Sequence, residues 1–95
     1  MQANYETIMV MSTKLDEEAS KATVQKFVDL ISTQGTVESV DEWGKRRLAY
    51  AINDEVEGNY VLINFKAEGS IVAELNRIYA ITDGLLRTIV VRKED

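Results

Sequence analysis

Lys45-Arg46-Arg47 is the one concentrated run of positive charge in the sequence, with Trp43 and Tyr50 on either side of it. A guanidinium is a planar fork of donors matched to phosphate oxygens, and an aromatic face beside it can stack on a nucleobase. Residues of these types at this spacing can therefore hold a nucleic acid, and Arg87 with Arg92-Lys93 can extend the same chemistry. Successive side chains of a strand face opposite ways, so Arg46 and Arg47 do not make one uniform patch. A solvated charged strand balanced by Asp41 and Glu42 fits the same three charges, and on composition alone it is the plainer reading.

Catalytic chemistry is poorly supplied. The chain has no histidine and no cysteine, which removes the commonest general base, the nucleophile pairs built on it and the preferred ligands of transition metals. Carboxylate, lysine and tyrosine chemistry remain. A formal net charge of −5 opposes nucleic-acid binding by the chain as a whole, so only a local concentration of arginine can serve it. No catalytic residue, metal ligand, cofactor or small-molecule substrate is expected.

The elements that must position these side chains fit one domain over residues 1–95, with 45% apolar content. No apolar run approaches the roughly 20 residues that cross a bilayer, and Met1–Glu6 lacks the layout of a signal peptide, so no membrane association and a cytoplasmic protein are expected. Tyr5–Met11 reads as a first strand, with Thr7, Met9 and Met11 on one face and Ile8 and Val10 on the other. Asp16, followed by Glu17 and Glu18, reads as the N-cap of a helix that Gly35 stops, and Ser20, Val24, Phe27, Val28 and Ile31 form its apolar stripe. Val37–Asn53 reads as a second strand, bent or bulged at Gly44, that enters a hairpin through an Asp54–Gly58 turn. Asn59–Lys66 returns as a third strand. Ser70 can cap a second helix carrying Ile71, Val72, Leu75, Ile78 and Tyr79, and Asp83-Gly84 ends it before a strand at Leu85–Arg92.

The order βαββαβ predicts an α+β, ferredoxin-like domain: a four-stranded antiparallel sheet with both helices on one face. The other face then has nothing from this chain to cover Ile8, Val10, Ile89, Val91 and the aromatic side of the hairpin. Such a face suits a partner, although scattered surface apolars or a homodimer contact fit the pattern equally.

The string Gly44-Lys45-Arg46-Arg47-Leu48-Ala49-Tyr50-Ala51-Ile52, followed by Gly58-x-Tyr60 and by Arg87 at the start of a valine-rich strand, is far more specific than a lone glycine motif. It resembles the Gly-x-Arg-Arg-Leu-Ala-Tyr-x-Ile hairpin strand of the bacterial small-subunit ribosomal protein six family, and the resemblance runs from Tyr5-Glu6 through Val90-Val91. It implies a structural constituent of the small (30S) subunit that binds the central domain of 16S ribosomal RNA together with small-subunit protein eighteen, without cofactor or reaction. By position it implies RNA contacts at Arg46, Arg47 and Arg87, with Lys45, Arg92 and Lys93 beside them. The partner protein is implied to meet the hairpin and the open sheet face, at Trp43, Tyr50, Tyr60, Ile89 and Val91. The chain departs from the family at Gln2-Ala3-Asn4, where some relatives carry arginine, at Ala51, where proline is frequent, and at Glu94-Asp95, a short stub of a longer acidic extension.

Other users of this strand order fit less well. An acylphosphatase needs an anion-cradling loop after the first strand with an arginine facing it, and Ser12-Thr13-Lys14-Leu15 has neither glycine nor arginine. A small-ligand regulatory or protein-interaction module of the same fold leaves the basic run unexplained. An RNA-recognition module wants paired aromatics on the central strands; Tyr5 and Tyr60 are there, but its glycine-aromatic string is not. Phe27 belongs to the scaffold on this reading. Phe27→Ala is expected to destabilise the domain by about 3–5 kcal/mol in a denaturant melt, with binding affected only indirectly.

Overall fold

In the computed structural model, which describes residues 2–52 and 54–93, the chain runs β1 (Gln2–Ser12), α1 (Glu17–Gln34), β2 (Gly35–Ile52), β3 (Glu55–Glu68), α2 (Ile71–Ile81) and β4 (Leu85–Arg92). The sheet order is β2-β3-β1-β4, and every neighbouring pair is antiparallel. This is the expected βαββαβ, ferredoxin-like architecture.

Strand alternation sorts β1 cleanly. Tyr5, Thr7, Met9 and Met11 are buried, and the residues across from them on β3, Phe65, Ile63, Val61 and Asn59, point the same way. Val24, Phe27 and Ile31 of α1 and Ile71, Leu75 and Tyr79 of α2 close over that face as one cluster. The Phe27 and Tyr79 rings meet at 4.5 Å and join the two helices, while Tyr5 stacks on Phe65 at 5.6 Å. Both helices therefore cover one sheet face. Asp16 caps α1 as read from sequence, its Oδ1 accepting from the Ala19 N–H at 2.7 Å, and the helix ends at Gly35.

Several boundaries differ from the sequence reading. β1 and β3 are longer than Tyr5–Met11 and Asn59–Lys66, and β2 starts at Gly35 rather than Val37. Asn53, read as the end of that strand, lies outside the described residues. Glu55–Gly58, read as turn because it is polar, is strand: Ile52 pairs with Glu55, Arg47 with Glu57 and Arg46 with Gly58. The polarity has a physical cause, since β1 ends at Ser12 opposite Gly58 and the hairpin beyond it projects as an arm with little to pack on. Ser70 occupies the N-cap position of α2 but lies in the helical region and makes no side-chain cap bond; the first turn closes instead through Val72 N–H to the Gly69 carbonyl at 3.2 Å.

Val10 also departs from expectation. It lies on the face away from the helices yet is only 3% exposed, because Leu48 folds back beside it over Gly58. A side chain at Gly58 would collide with Val10, so the arm reaches this close only with glycine there.

Under the helices, Thr7 Oγ1 donates to the Ile89 carbonyl at 2.9 Å and lies 2.8 Å from the Tyr79 hydroxyl. Its single proton being used, Thr7 accepts from Tyr79. Burial pushes the Tyr79 phenol up to about 12. The unfolded phenol ionises near 10 while the folded one holds its proton, so this stabilisation is present below pH 10 and is lost as pH rises towards 12. Urea melts between pH 9 and 12 are expected to show a fall in stability of at most about 2–3 kcal/mol from this group, flattened in Tyr79→Phe; equal slopes in the two proteins would refute the assignment.

Candidate nucleic-acid interface

Across the uncovered face the residues lie in register rows. One row runs Gly44, Tyr60, Val10, Arg87 from edge to edge, and the next brings Arg46 opposite Gly58. Further from the arm come Asp41, Leu62, Ile8 and Ile89, then Ser39, Asn64, Glu6 and Val91. Arg46 and Arg87 are both exposed, and among the described residues neither guanidinium takes part in an ion pair. Ile89 at 38% and Val91 at 47% exposure give the face an apolar edge.

A bulge interrupts the strand at Trp43. Glu42 pairs with Val61 and Gly44 with Tyr60, so Trp43 is the extra residue, and Gly44 takes φ 78°, the left-handed region that glycine enters without strain. Trp43 follows Asp41 to the open face by ordinary alternation, and the extra residue returns Gly44 and Arg46 to that same face. The Trp43 ring lies parallel to Tyr60, 11° between planes and 6.1 Å between centroids, and its Nε1–H donates to Asp41 Oδ2 at 3.1 Å. The pair of central-strand aromatics imagined from sequence, Tyr5 and Tyr60, does not form, because Tyr5 points into the core. The signal that could have found the grouping was Gly44: one extra residue ahead of it brings Arg46 to the face that Trp43 occupies.

The remaining basic residues are not brought together with Arg46 and Arg87. Lys45 pairs with Asn59 on the helix side and lines a groove of about 380 Å³ with Lys21 and Glu42. Arg47, opposite Glu57, alternates to that same side, and Arg92 sits across from Tyr5, on the side of the helices. Lys93 is on the open face, but about eight residues along the sheet from Arg46, roughly 27 Å, and its Nζ donates to Asn64 Oδ1 at 2.7 Å. Tyr50, 66% exposed, stands on the arm.

The turn end of the arm is tied back to the loop after β1 by one carboxylate. Glu55 accepts from Ser12 Oγ at 2.7 and 2.9 Å and from the Thr13 N–H at 3.2 Å, and Ser12 Oγ in turn accepts from the Lys14 N–H at 3.1 Å. The Leu15 N–H goes to the Ser12 carbonyl and the Ser12 N–H to that of Gly84. The loop after β1, where an acylphosphatase would hold its anion, here holds the protein's own anion.

The sequence model of the family described as Ribosomal protein S6 matches residues 4–92. The chain is 52% identical over 92 residues to the small ribosomal subunit protein bS6 of Clostridium novyi, covering 96% of this chain and 97% of that one.

The chain belongs to the ribosomal protein S6 family.

It is also 45% identical over 93 residues to bS6 of Caldanaerobacter subterraneus, covering 97% and 98% of the two chains. The crystal structure of 30S ribosomal protein S6 from Thermotoga maritima superposes with a TM-score of 0.92 at 26% identity, over 98% of this chain and 89% of that one. Ribosomal protein S6 is a protein of the small ribosomal subunit, and its family is a structural one rather than an enzyme family. In this S6-family chain the Glu55 clasp ties the arm that carries Arg46 to the body of the domain. Glu55→Gln removes the charge from an acceptor of several bonds and is expected to destabilise by about 1–2 kcal/mol. Hydrogen exchange should show faster exchange in residues 45–58 than in β1; unchanged protection there would mean that the clasp does not hold the arm.

Proposed function

We propose that this S6-family chain binds the central domain of 16S ribosomal RNA jointly with small-subunit protein eighteen, as a structural constituent of the 30S subunit in the cytoplasm. The observation that carries the reading is that Arg46 and Arg87 share one sheet face with the exposed apolar residues Ile89 and Val91. Phosphate-binding charge thus adjoins surface suited to a protein. Burial of the Ile8, Leu62, Ile89 and Val91 region against the partner supplies apolar contact, and the arginine rows supply salt-sensitive phosphate contacts along its border, where Trp43, Tyr60 and Tyr50 stand.

The net charge of −5 sets how the two contacts combine. Two arginines on an acidic protein are too little positive potential to hold RNA well alone, so a basic partner that adds its own charge makes binding cooperative.

The test is binding to a central-domain RNA fragment across a salt series, with and without protein eighteen. Tight binding is expected only with the partner, and Arg46→Ala with Arg87→Ala should weaken it and lower the slope of log affinity against log salt by about one to two. A slope unchanged by the double substitution sinks the arginine assignment, and no binding even with the partner sinks the reading.

A further inference from the structure

Trp43 and Tyr60 are large aromatic residues kept out of the core. Trp43 lies on the open face, 39% exposed and parallel to the Tyr60 ring, and the bulge at Gly44 puts Arg46 on that same face. The Asp41 carboxylate takes the indole N–H, so the ring is held in one orientation and what it still offers is its π surface. A third flat ring extends such a stack without reorganising it. Positive charge brackets the pair: Arg46 lies one residue pair along the strand on the arm side, and Arg87 lies across the sheet in Tyr60's own row, two strand spacings or about 10 Å away.

A flat apolar ring flanked by anions is a nucleotide of a single strand, which carries a base between phosphates. A protein side chain fits the rings but gives no reason for the two flanking guanidinium groups. We propose that Trp43 and Tyr60 form a stacking platform for one unpaired nucleobase of the bound RNA, with Arg46 and Arg87 receiving phosphates on either side of it. This rests on the RNA-binding reading above and narrows it: the hairpin end of the open face meets a splayed-out base, while protein contact is confined to the Ile89 and Val91 end.

Trp43 is the chain's only tryptophan, so its fluorescence reports on this site alone. The complex with protein eighteen is titrated with the central-domain RNA fragment, with Trp43→Phe in the same complex as the emission blank. Quenching is expected on addition of RNA, and Trp43→Leu should bind RNA about tenfold or more weakly while its affinity for protein eighteen changes less than about twofold. Tyr60→Leu, which removes the second ring, should weaken RNA binding in the same way. Full-strength RNA binding with no change in emission, or undiminished in Trp43→Leu, overturns the platform and leaves the RNA-binding reading standing. An emission change produced by protein eighteen alone, to which RNA adds nothing, assigns the rings to the protein contact and overturns it as well. Failure of the parent complex to bind RNA at all removes the reading on which the platform rests.

Discussion

Two helices cover one face of a four-stranded sheet, and among the described residues no element covers the other. Everything that distinguishes the molecule depends on that constraint. The buried strand residues of the covered face are hydrophobic apart from Thr7, whose hydroxyl is hydrogen-bonded, because a buried polar group without a partner is costly. On the open face the chain keeps Ile8, Leu62, Ile89 and Val91 in solvent reach, where a sheet serving only itself would present polar residues. A membrane is not needed to explain them, since a protein partner removes the same area from water.

The bulge at Gly44 decides which side chains share the open face. Beyond it, alternation resumes with Gly44 and Arg46 towards the open side and Lys45 and Arg47 towards the helices. Before it, Asp41 and Trp43 lie on that same open side. One extra residue therefore brings an aromatic, its anchoring carboxylate and an arginine together, although in a regular strand Trp43 and Arg46 would face opposite ways. The arm that follows is long and polar, and the 40 Å long dimension of the molecule against 25 and 22 Å reflects an elongated shape. Such an arm would wander were it not tied back by Glu55 to the loop after β1.

Periodicity made the fold legible. The 3.6 spacing of Val24, Phe27 and Ile31, the alternation of Thr7, Met9 and Met11, and the Asp16 cap each reported a local preference that the tertiary structure kept. Misreadings arose where polarity does not mean turn. Glu55–Gly58 is strand because its backbone pairs with β2, a long-range fact that no local composition carries, and the Ser70 cap yielded to a backbone bond. Of the candidate site, the opposite facing of Arg46 and Arg47 was legible from alternation alone. The Trp43 and Tyr60 pair was not, because bulge placement depends on the register between two strands and a glycine marks only where one is possible.

The same register bears on how an acidic chain can serve RNA. Had Lys45, Arg46 and Arg47 all lain on one face, they would have formed a patch strong enough to attract any polyanion, with little selectivity. Alternation divides them, and Asp41 beside Trp43 further lowers the positive potential around Tyr60. What remains is weak charge arranged around a shaped aromatic surface. On the proposed reading that arrangement trades affinity for discrimination: phosphate attraction alone is too small to retain RNA, so retention requires both a base in the right place and a partner holding the rest of the strand. An acidic protein with two exposed arginines on one face is then suited to an assembly in which each component binds stably only after its neighbour has.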